Sequence, residues 1–371
     1  MPARTVLYIV STLQKGGPVR QLFNLIKYLD RWQFLPHVLT LSAEPKDSLL
    51  GEFMRIDVPV SSLGLGRLAG FIRARHLIAD YIAKLAPAIV HSCGFRADLF
   101  SAGLDYSVHT VATVRAHPFE DYVCEYGCLG RFIMAPLHLK ALRKIEKPVF
   151  VSRTLSEKLS KKYGIAFGCI QNGADTEIFF PAADEQKQQI RNQLGLPLKH
   201  RLFIAAGNLS QGKDPLCVAQ GFLKAAIGDA TMIFAGDGPL RQKLNLLCNS
   251  GKIIIAGYVK DIRPWLWASD FLVSGSHSEG LPNAVLEAMA CGLGCILSDI
   301  PPHREILDYN PQAGTLFTAG NPEHLAEAIR RIMETPYDTG RQAALGIIKN
   351  HLNAQRMSSQ YQALYKTILH S

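Results

Sequence analysis

Short apolar runs recur along this chain, each closing in small or polar residues and then giving way to a stretch whose apolar positions return every three or four residues. The first pattern suits a strand buried on both faces and the second an amphipathic helix, so their alternation predicts parallel α/β domains. In the first half, strands are expected at Val6–Ser11, His37–Leu41, Ile89–His91, Thr110–Val114 and Val149–Val151, with helices at Val19–Leu29, Ala97–Gly103 and Leu155–Tyr163. In the second half, strands are expected at Leu202–Ala206, Thr231–Ala235, Ile253–Ala256, Phe271–Ser274 and Cys295–Ser298, and helices at Pro215–Ala226, Leu240–Ser250 and Ala284–Cys291.

The two halves read alike. Between them Gln171-Asn-Gly-Ala-Asp-Thr-Glu-Ile-Phe-Phe-Pro181 is a turn signal closed by a proline, and the polar stretch Asp184–Gln193 follows it, so a domain boundary is expected there. That assigns residues 1–175 to one domain and 176–354 to the other. The last segment carries Met357, Tyr361, Leu364, Tyr365 and Ile368 at helical spacing. This stripe must pack on something, and residues 355–371 are expected to return to the first domain. Ligands in open parallel sheets bind beyond the C-terminal strand ends, so two such domains facing one another predict a cleft that collects the loops of interest.

Composition adds few exclusions. A length of 371 residues suits about two domains at roughly 150 residues each. The chain is 48% hydrophobic and 19% charged, as an ordinary soluble protein is. The apolar run near Met1 is too short for a signal peptide, and no segment reaches the roughly 18 apolar residues of a spanning helix. A cytoplasmic protein is therefore expected. Of eight cysteines the closest pairs, Cys124/Cys128 and Cys291/Cys295, have three intervening residues and no nearby histidines, which points to free buried thiols rather than zinc or disulfides.

Charge changes the picture more. Residues 1–180 hold 22 Lys and Arg against 15 Asp and Glu, whereas residues 181–371 hold 18 against 16, so the first half carries most of the net +9. Its basic stretch Lys140-Ala-Leu-Arg-Lys-Ile-Glu-Lys147, with Lys158, Lys161 and Lys162, suits either attachment to an anionic membrane surface or a solvated helix face. Basic and aromatic residues do not interleave as nucleic-acid binding requires, so no nucleic acid partner is expected.

The candidate chemistry lies in turns between strands and helices. Ser278-Glu-Gly-Leu-Pro-Asn-Ala-Val-Leu-Glu-Ala-Met-Ala-Cys-Gly292 sets Glu279 and Glu287 on either side of a helix start, where backbone N–H groups and the positive end of the dipole suit an anion. Gly16 and Gly17 open the first helix, although a tight structural turn needs the same residues. Lys213, in the turn Gly207-Asn-Leu-Ser-Gln-Gly-Lys213, is either a counter-charge for a diphosphate or a solvated surface group. Gly236-Asp-Gly-Pro239 is a further strand-end turn. No G-x-G-x-x-G fingerprint is present, which argues against an NAD-dependent oxidoreductase.

Together Gly16-Gly17, Asn172-Gly-Ala-Asp-Thr-Glu-Ile-Phe-Phe-Pro181, Gly207-Asn-Leu with Lys213, Gly236-Asp-Gly-Pro-Leu240 and Glu279-Gly-Leu-Pro-Asn with Glu287 closely resemble the retaining glycosyltransferases of GT-B fold known as family 4, or group 1. The resemblance spans essentially the whole chain, and the paired glutamates are its most specific element. It implies two Rossmann-like domains, an N-terminal one for the acceptor and a C-terminal one for a nucleoside-diphosphate sugar.

By this resemblance Glu287 takes the ribose hydroxyls, Glu279 sits beside the transferred sugar, the backbone of Gly280, Leu281, Pro282 and Asn283 faces sugar and diphosphate, and Lys213 neutralises the departing diphosphate. Gly16, Gly17, Asn208, Gly236, Tyr258 and Ser276 complete the donor side. Neither a metal nor another cofactor is expected, because preorganised donors and a cation do an ion's work. The implied acceptor is a glycan or lipid-linked saccharide, in cell-surface polysaccharide or glycolipid assembly, with the enzyme cytoplasmic and peripheral on the membrane.

Two positions depart from the family pattern. Asn208 stands where relatives usually carry an arginine, so either Asn208 acts as a neutral donor or Arg263 or Arg304 supplies the charge. Arg115 follows the strand where relatives have a histidine, and His117 comes two residues later, so one of the two is expected near the reacting carbon. His91, Arg115, Glu120 and Asp121 form the expected acceptor side, although His91 could equally serve its own strand. A GT-B sugar-nucleotide epimerase and a non-catalytic subunit of a glycan assembly complex are the alternative readings.

Overall fold

The computed structural model describes residues 2–66, 70–104, 108–115, 117–248 and 251–370; within helices, the side chains of residues 70–72, 120, 121 and 123–126 fall outside that description. The chain divides into two compact units, residues 1–173 with 354–371 and residues 174–353. The sequence placed this boundary at 175 and the return at 355.

The first unit is built on seven strands, β1 (Arg4–Val10), β2 (Phe34–Thr40), β3 (Val60–Ser62), β4 (Ile89–Cys93), β5 (His109–Val114), β6 (Lys147–Phe150) and β7 (Gly168–Cys169). They pair in parallel in the order β3-β2-β1-β4-β5-β6-β7. Val6 lies opposite Pro36 on one side and Ile89 on the other, and Val6–Val10 is buried on both faces, as its unbroken apolar run requires. The C-terminal helix Ala354–Leu369 belongs to this unit. It seats Met357, Tyr361, Tyr365 and Ile368 in the same core as Val6 and Tyr8, and Leu364 packs half-buried beside them. Ser358 Oγ donates to the Leu25 carbonyl at 2.8 Å, and Gln362 Oε1 accepts from the Asp30 amide at 3.1 Å.

The second unit holds β8 (Arg201–Ala206), β9 (Ala230–Ala235), β10 (Ile253–Gly257), β11 (Phe271–Ser274), β12 (Gly294–Ser298) and β13 (Gly314–Phe317), again parallel, in the order β10-β9-β8-β11-β12-β13. In each unit the strand order reverses direction once, between β1 and β4 and between β8 and β11. Loops leaving the C-terminal ends of those neighbours diverge there and open a crevice.

The polar stretch Asp184–Gln193, which follows the boundary turn, is a helix of the second unit. Beside the buried Ile190 it packs charge inward: Nζ of the half-buried Lys187 and a guanidinium nitrogen of the buried Arg191 donate to Asp270 at 2.6 and 2.8 Å, and the Leu202 amide donates to the same carboxylate at 2.8 Å. The expected helix Leu240–Ser250 is shorter, Arg241–Asn245, and residues 249 and 250 lie outside the described residues. The cysteines whose side chains are described are free thiols, but Cys128 and Cys169 are exposed rather than buried; the Cys124 side chain lies outside the described residues.

Candidate functional site

The crevice between β8 and β11 is shaped first by backbone. Hydrogen bonds continue past the strands: the Gly207 amide donates to the Ala235 carbonyl at 3.0 Å, Leu209 to Asp237 at 2.9 Å and Leu240 to Leu209 at 2.9 Å. The turns after β8 and β9 are thereby pressed together. A Cβ on Gly236 would stand 1.8 Å from the Gly207 carbonyl oxygen, and one on Gly238 would stand 2.2 Å from Asn208 Oδ1. Gly236, expected on the donor side, is thus explained by contact between two turns.

Beside this seam lies a pocket whose wall includes Gly207, Asn208, Lys213, Ser276, Glu279 and Pro282. Five residues expected on the donor side, Asn208, Lys213, Ser276, Glu279 and Pro282, are brought together here from stretches far apart in sequence. Glu279 Oε1 pairs with the Lys213 ammonium and accepts from Ser276 Oγ at 2.8 Å. Glu279 Oε2 takes part in neither bond. Asp214 follows Lys213 in the left-handed region, at φ 45°, and does two jobs. Its Oδ1 caps the helix Pro215–Ala225 by accepting from the Cys217 amide at 3.2 Å, and its Oδ2 lies 3.1 Å from His277 Nε2. The His277 amide donates to the Gly212 carbonyl at 2.9 Å, so the lysine turn and the glutamate turn are tied to each other.

Behind the pocket, Ser298 Oγ donates to the Ser276 carbonyl at 2.6 Å, and His303 Nδ1 lies 2.8 Å from the Ser298 carbonyl. A carbonyl only accepts, so Nδ1 carries the proton. Nε2 is then a buried lone pair with no partner among the described residues. Burial holds the His303 pKa below its ordinary value, with the Glu279 charge acting in the opposite sense, so the ring is neutral. Sequence reading missed Asp214, His277, Ser298 and His303. The Ser298-Asp-Ile-Pro-Pro-His303 run, polar ends around two prolines just after a strand, was the available signal.

Other expected donor residues stand apart from this wall. Leu281 is buried, and Asn283 opens the helix Asn283–Ala290. Gly280 is buried in the turn before it, and Glu287 lies half-buried one turn into the helix; burial first and the Glu287 charge second push the Cys291 thiol up to about 12. Tyr258 follows β10 and is 63% exposed. Arg263 is bound to Asp261 at 2.6 Å and Arg304 to Asp299, so each offered cation is engaged with a neighbouring carboxylate.

The residues expected on the acceptor side belong to the first unit. His91 is corrected: it is fully buried, with Nδ1 2.6 Å from Tyr365 Oη and Nε2 2.7 Å from Thr113 Oγ1, so both ring nitrogens are spent on the C-terminal helix and β5. Burial, then the Arg115 charge, hold its pKa down at about 3. Arg115 follows β5, half-buried, and its Nε has no partner among the described residues. His117 is buried just before the helix Pro118–Leu129, its Nδ1 accepting from the Phe119 amide at 3.2 Å. Glu120 and Asp121 lie in that helix, with side chains outside the described residues. Gly16 precedes the helix Gly17–Lys27, where an added Cβ would meet only Pro18 Cδ at an ordinary 3.8 Å.

One cation, one carboxylate and several hydroxyls at a strand switch point can hold an anionic, polyhydroxylated ligand. Two family models match the chain: "Glycosyltransferase Family 4" over residues 15–178 and "Glycosyl transferases group 1" over residues 200–335. The chain is 23% identical over 371 residues to the O-antigen biosynthesis glycosyltransferase WclY of Escherichia coli, covering 98% of both. It is 34% identical over 142 residues to the E. coli UDP-Gal:alpha-D-GlcNAc-diphosphoundecaprenol alpha-1,3-galactosyltransferase, covering 35% of this chain and 36% of that one. The chain spans about half the length of the first curated relatives it matches. Among solved structures, a Rickettsia africae glycosyltransferase superposes with a TM-score of 0.80 at 20% identity over 99% of each chain. Anabaena Alr3699/HepE in complex with UDP and glucose gives 0.81 at 17%, over 98% of this chain and 100% of that one. At these identities the structural likeness establishes the GT-B fold.

Proposed function

Because the chain belongs to the group 1, family 4 glycosyltransferases, we propose that it transfers a hexose from a nucleoside-diphosphate sugar to a glycan or lipid-linked saccharide in cell-surface polysaccharide or glycolipid assembly, with retention at the anomeric carbon. The observation that carries this reading is the Lys213–Glu279–Ser276 cluster at the β8/β11 switch point. Lys213 is poised between two partners. When a diphosphate arrives, its ammonium turns from Glu279 to the phosphate oxygens, and the released carboxylate accepts hydrogen bonds from sugar hydroxyls. Asn208 contributes a neutral donor, the amides at the start of the helix Asn283–Ala290 add their dipoles, and Glu287 holds the ribose.

In this reading the acceptor oxygen attacks from the face the diphosphate leaves. The C–O bond to phosphate breaks as the new glycosidic bond forms, and the acceptor proton passes to the departing phosphate oxygen. The transfer is metal-independent because Lys213 and the amides carry the leaving-group charge. A structural relative in complex with UDP and glucose and a relative that uses UDP-Gal make uracil the first base to test.

Calorimetric titration of wild type and Glu287→Ala with nucleoside diphosphates and their sugar conjugates, in EDTA, tests the donor site. One base should bind tightly to wild type and weakly to the variant; no binding of any base at millimolar concentration would overturn the assignment. The anomeric configuration of the product, read by proton coupling, decides retention.

A further inference from the structure

A helix on the surface of a soluble protein normally turns apolar residues inward and polar residues outward. The segment after the kink at Gly127 breaks this rule. Residues Gly130–Met134 form wide π turns, which bring Gly130 under the Tyr122 carbonyl, where a Cβ would stand only 1.9 Å away, and the helix Ala135–Leu142 follows. Its inner face is fully accounted for: Ala135, His138, Leu139 and Leu142 are buried, and His138 is anchored by Asp98 at 2.8 Å and Tyr122 at 2.9 Å. The outer face should then be polar. Instead it shows Leu129, Phe132, Ile133 and Leu137, which are 54, 69, 51 and 45% exposed. Arg131, Lys140 and Lys144 are exposed around them, and residues 126–145 contain no Asp or Glu.

From this juxtaposition of bulky apolar side chains and unopposed cations we infer that residues 129–144 are a docking surface for an anionic lipid bilayer, with Phe132 and Ile133 entering the acyl boundary and Lys140 and Lys144 meeting headgroup phosphates. A second copy of the chain fits the face less well, since a twofold contact would set cation against cation. The inference deepens the proposed function on its acceptor side, where a lipid-linked saccharide must be met at a membrane, and it does not depend on the donor pocket. It also shifts emphasis within the basic stretch expected from the sequence, because the apolar residues immediately before Lys140 supply the insertion that charge alone lacks.

The test is sedimentation of the full chain with sucrose-loaded vesicles, either phosphatidylglycerol mixed with phosphatidylcholine or phosphatidylcholine alone. Wild type should partition onto the anionic vesicles and release as salt is raised. Phe132→Ser with Ile133→Ser should weaken partition at least about tenfold, and Lys140→Ala with Lys144→Ala should cost about fivefold per charge, with unchanged thermal melting since all four positions are exposed. Phe132→Trp should fluoresce at shorter wavelength on the vesicles and be quenched by brominated lipid. The inference fails if wild type stays in solution with anionic vesicles, or if the double serine variant binds them as wild type does. It fails equally if that variant only converts a dimer to a monomer, which would give the face to a second copy. Nucleotide titration without vesicles reads the donor site independently, so either reading can fall alone.

Discussion

Ser276 Oγ and the Lys213 ammonium share one acceptor, Glu279 Oε1, with the hydroxyl 2.8 Å away. The cation in the 174–353 pocket is therefore already partnered before any ligand arrives, and an anionic ligand has to compete for it.

Competition separates two substitutions that would otherwise look equivalent. Lys213→Met should weaken nucleoside diphosphate binding about 10- to 100-fold, by removing a charge-assisted contact. Glu279→Gln should leave binding of the bare diphosphate unchanged or tighter, since the lysine is released, while lowering sugar transfer. Both should melt within about 1 kcal/mol of wild type, because the Lys213 side chain is 40% exposed and such pairs contribute little to folding. Titration calorimetry and a turnover assay on the same preparations decide.

Gly236→Ala should be among the most damaging single-methyl changes in the molecule. The added carbon meets a backbone oxygen at 1.8 Å and cannot be relieved by a rotamer change. A loss of about 2 kcal/mol or more is expected in denaturant unfolding. Gly212→Ala, where nothing lies within 4 Å, should stay within about 0.5 kcal/mol.

The buried His91 makes stability depend on pH. Its folded pKa of about 3 lies below its value of roughly 6.5 in the unfolded chain, so on acidification the unfolded state takes up the proton first. Stability from this group is complete above about pH 6.5 and is lost as pH falls toward 3, by at most about 1.4 kcal/mol per pH unit. Unfolding free energies from pH 7.5 to 4.5 should fall more gently in His91→Gln than in wild type.

Asp270→Ala should destabilise by about 3 to 5 kcal/mol, because it leaves Lys187 and the buried Arg191 facing each other without their common carboxylate. Urea unfolding of the variant gives the number; a loss below about 1 kcal/mol would mean that the cluster relaxes to water.

Much of the fold could be read along the chain, for reasons visible in particular elements. Phe271–Ser274 is located to the residue, because a short apolar run ending in serine and glycine has few other uses. The helix Asp184–Gln193 was not among the expected helices, because it packs through Lys187 and Arg191 as well as Ile190, and the carboxylate that partners the two cations lies some eighty residues away. His91 suggested a functional loop for the same reason: the tyrosines that cover it arrive from the opposite end of the chain. The pocket was legible where residues fall close together, as Ser276, Glu279 and Pro282 do. It was not legible where a turn is held from behind, as Ser276 is by Ser298. Local pattern reports burial and period, but it carries no record of which distant side chain completes a site.

The return of residues 354–369 to the first unit also bears on how the chain is made. During synthesis, residues 174–353 emerge with all their strands in hand and can fold before residues 354–369 are available. The first unit cannot: its β1 to β7 sheet emerges early, yet Tyr8, His91 and Thr113 wait for Tyr361 and Tyr365, the hydroxyls that complete their network. Residues 354–369 are therefore made after the whole of the second unit, yet they close the part of the molecule that was made first. A chain interrupted between residues 353 and 361 would carry all of the second unit together with a first unit whose core keeps an open, polar-lined gap, a form that cellular proteases can tell from the closed one.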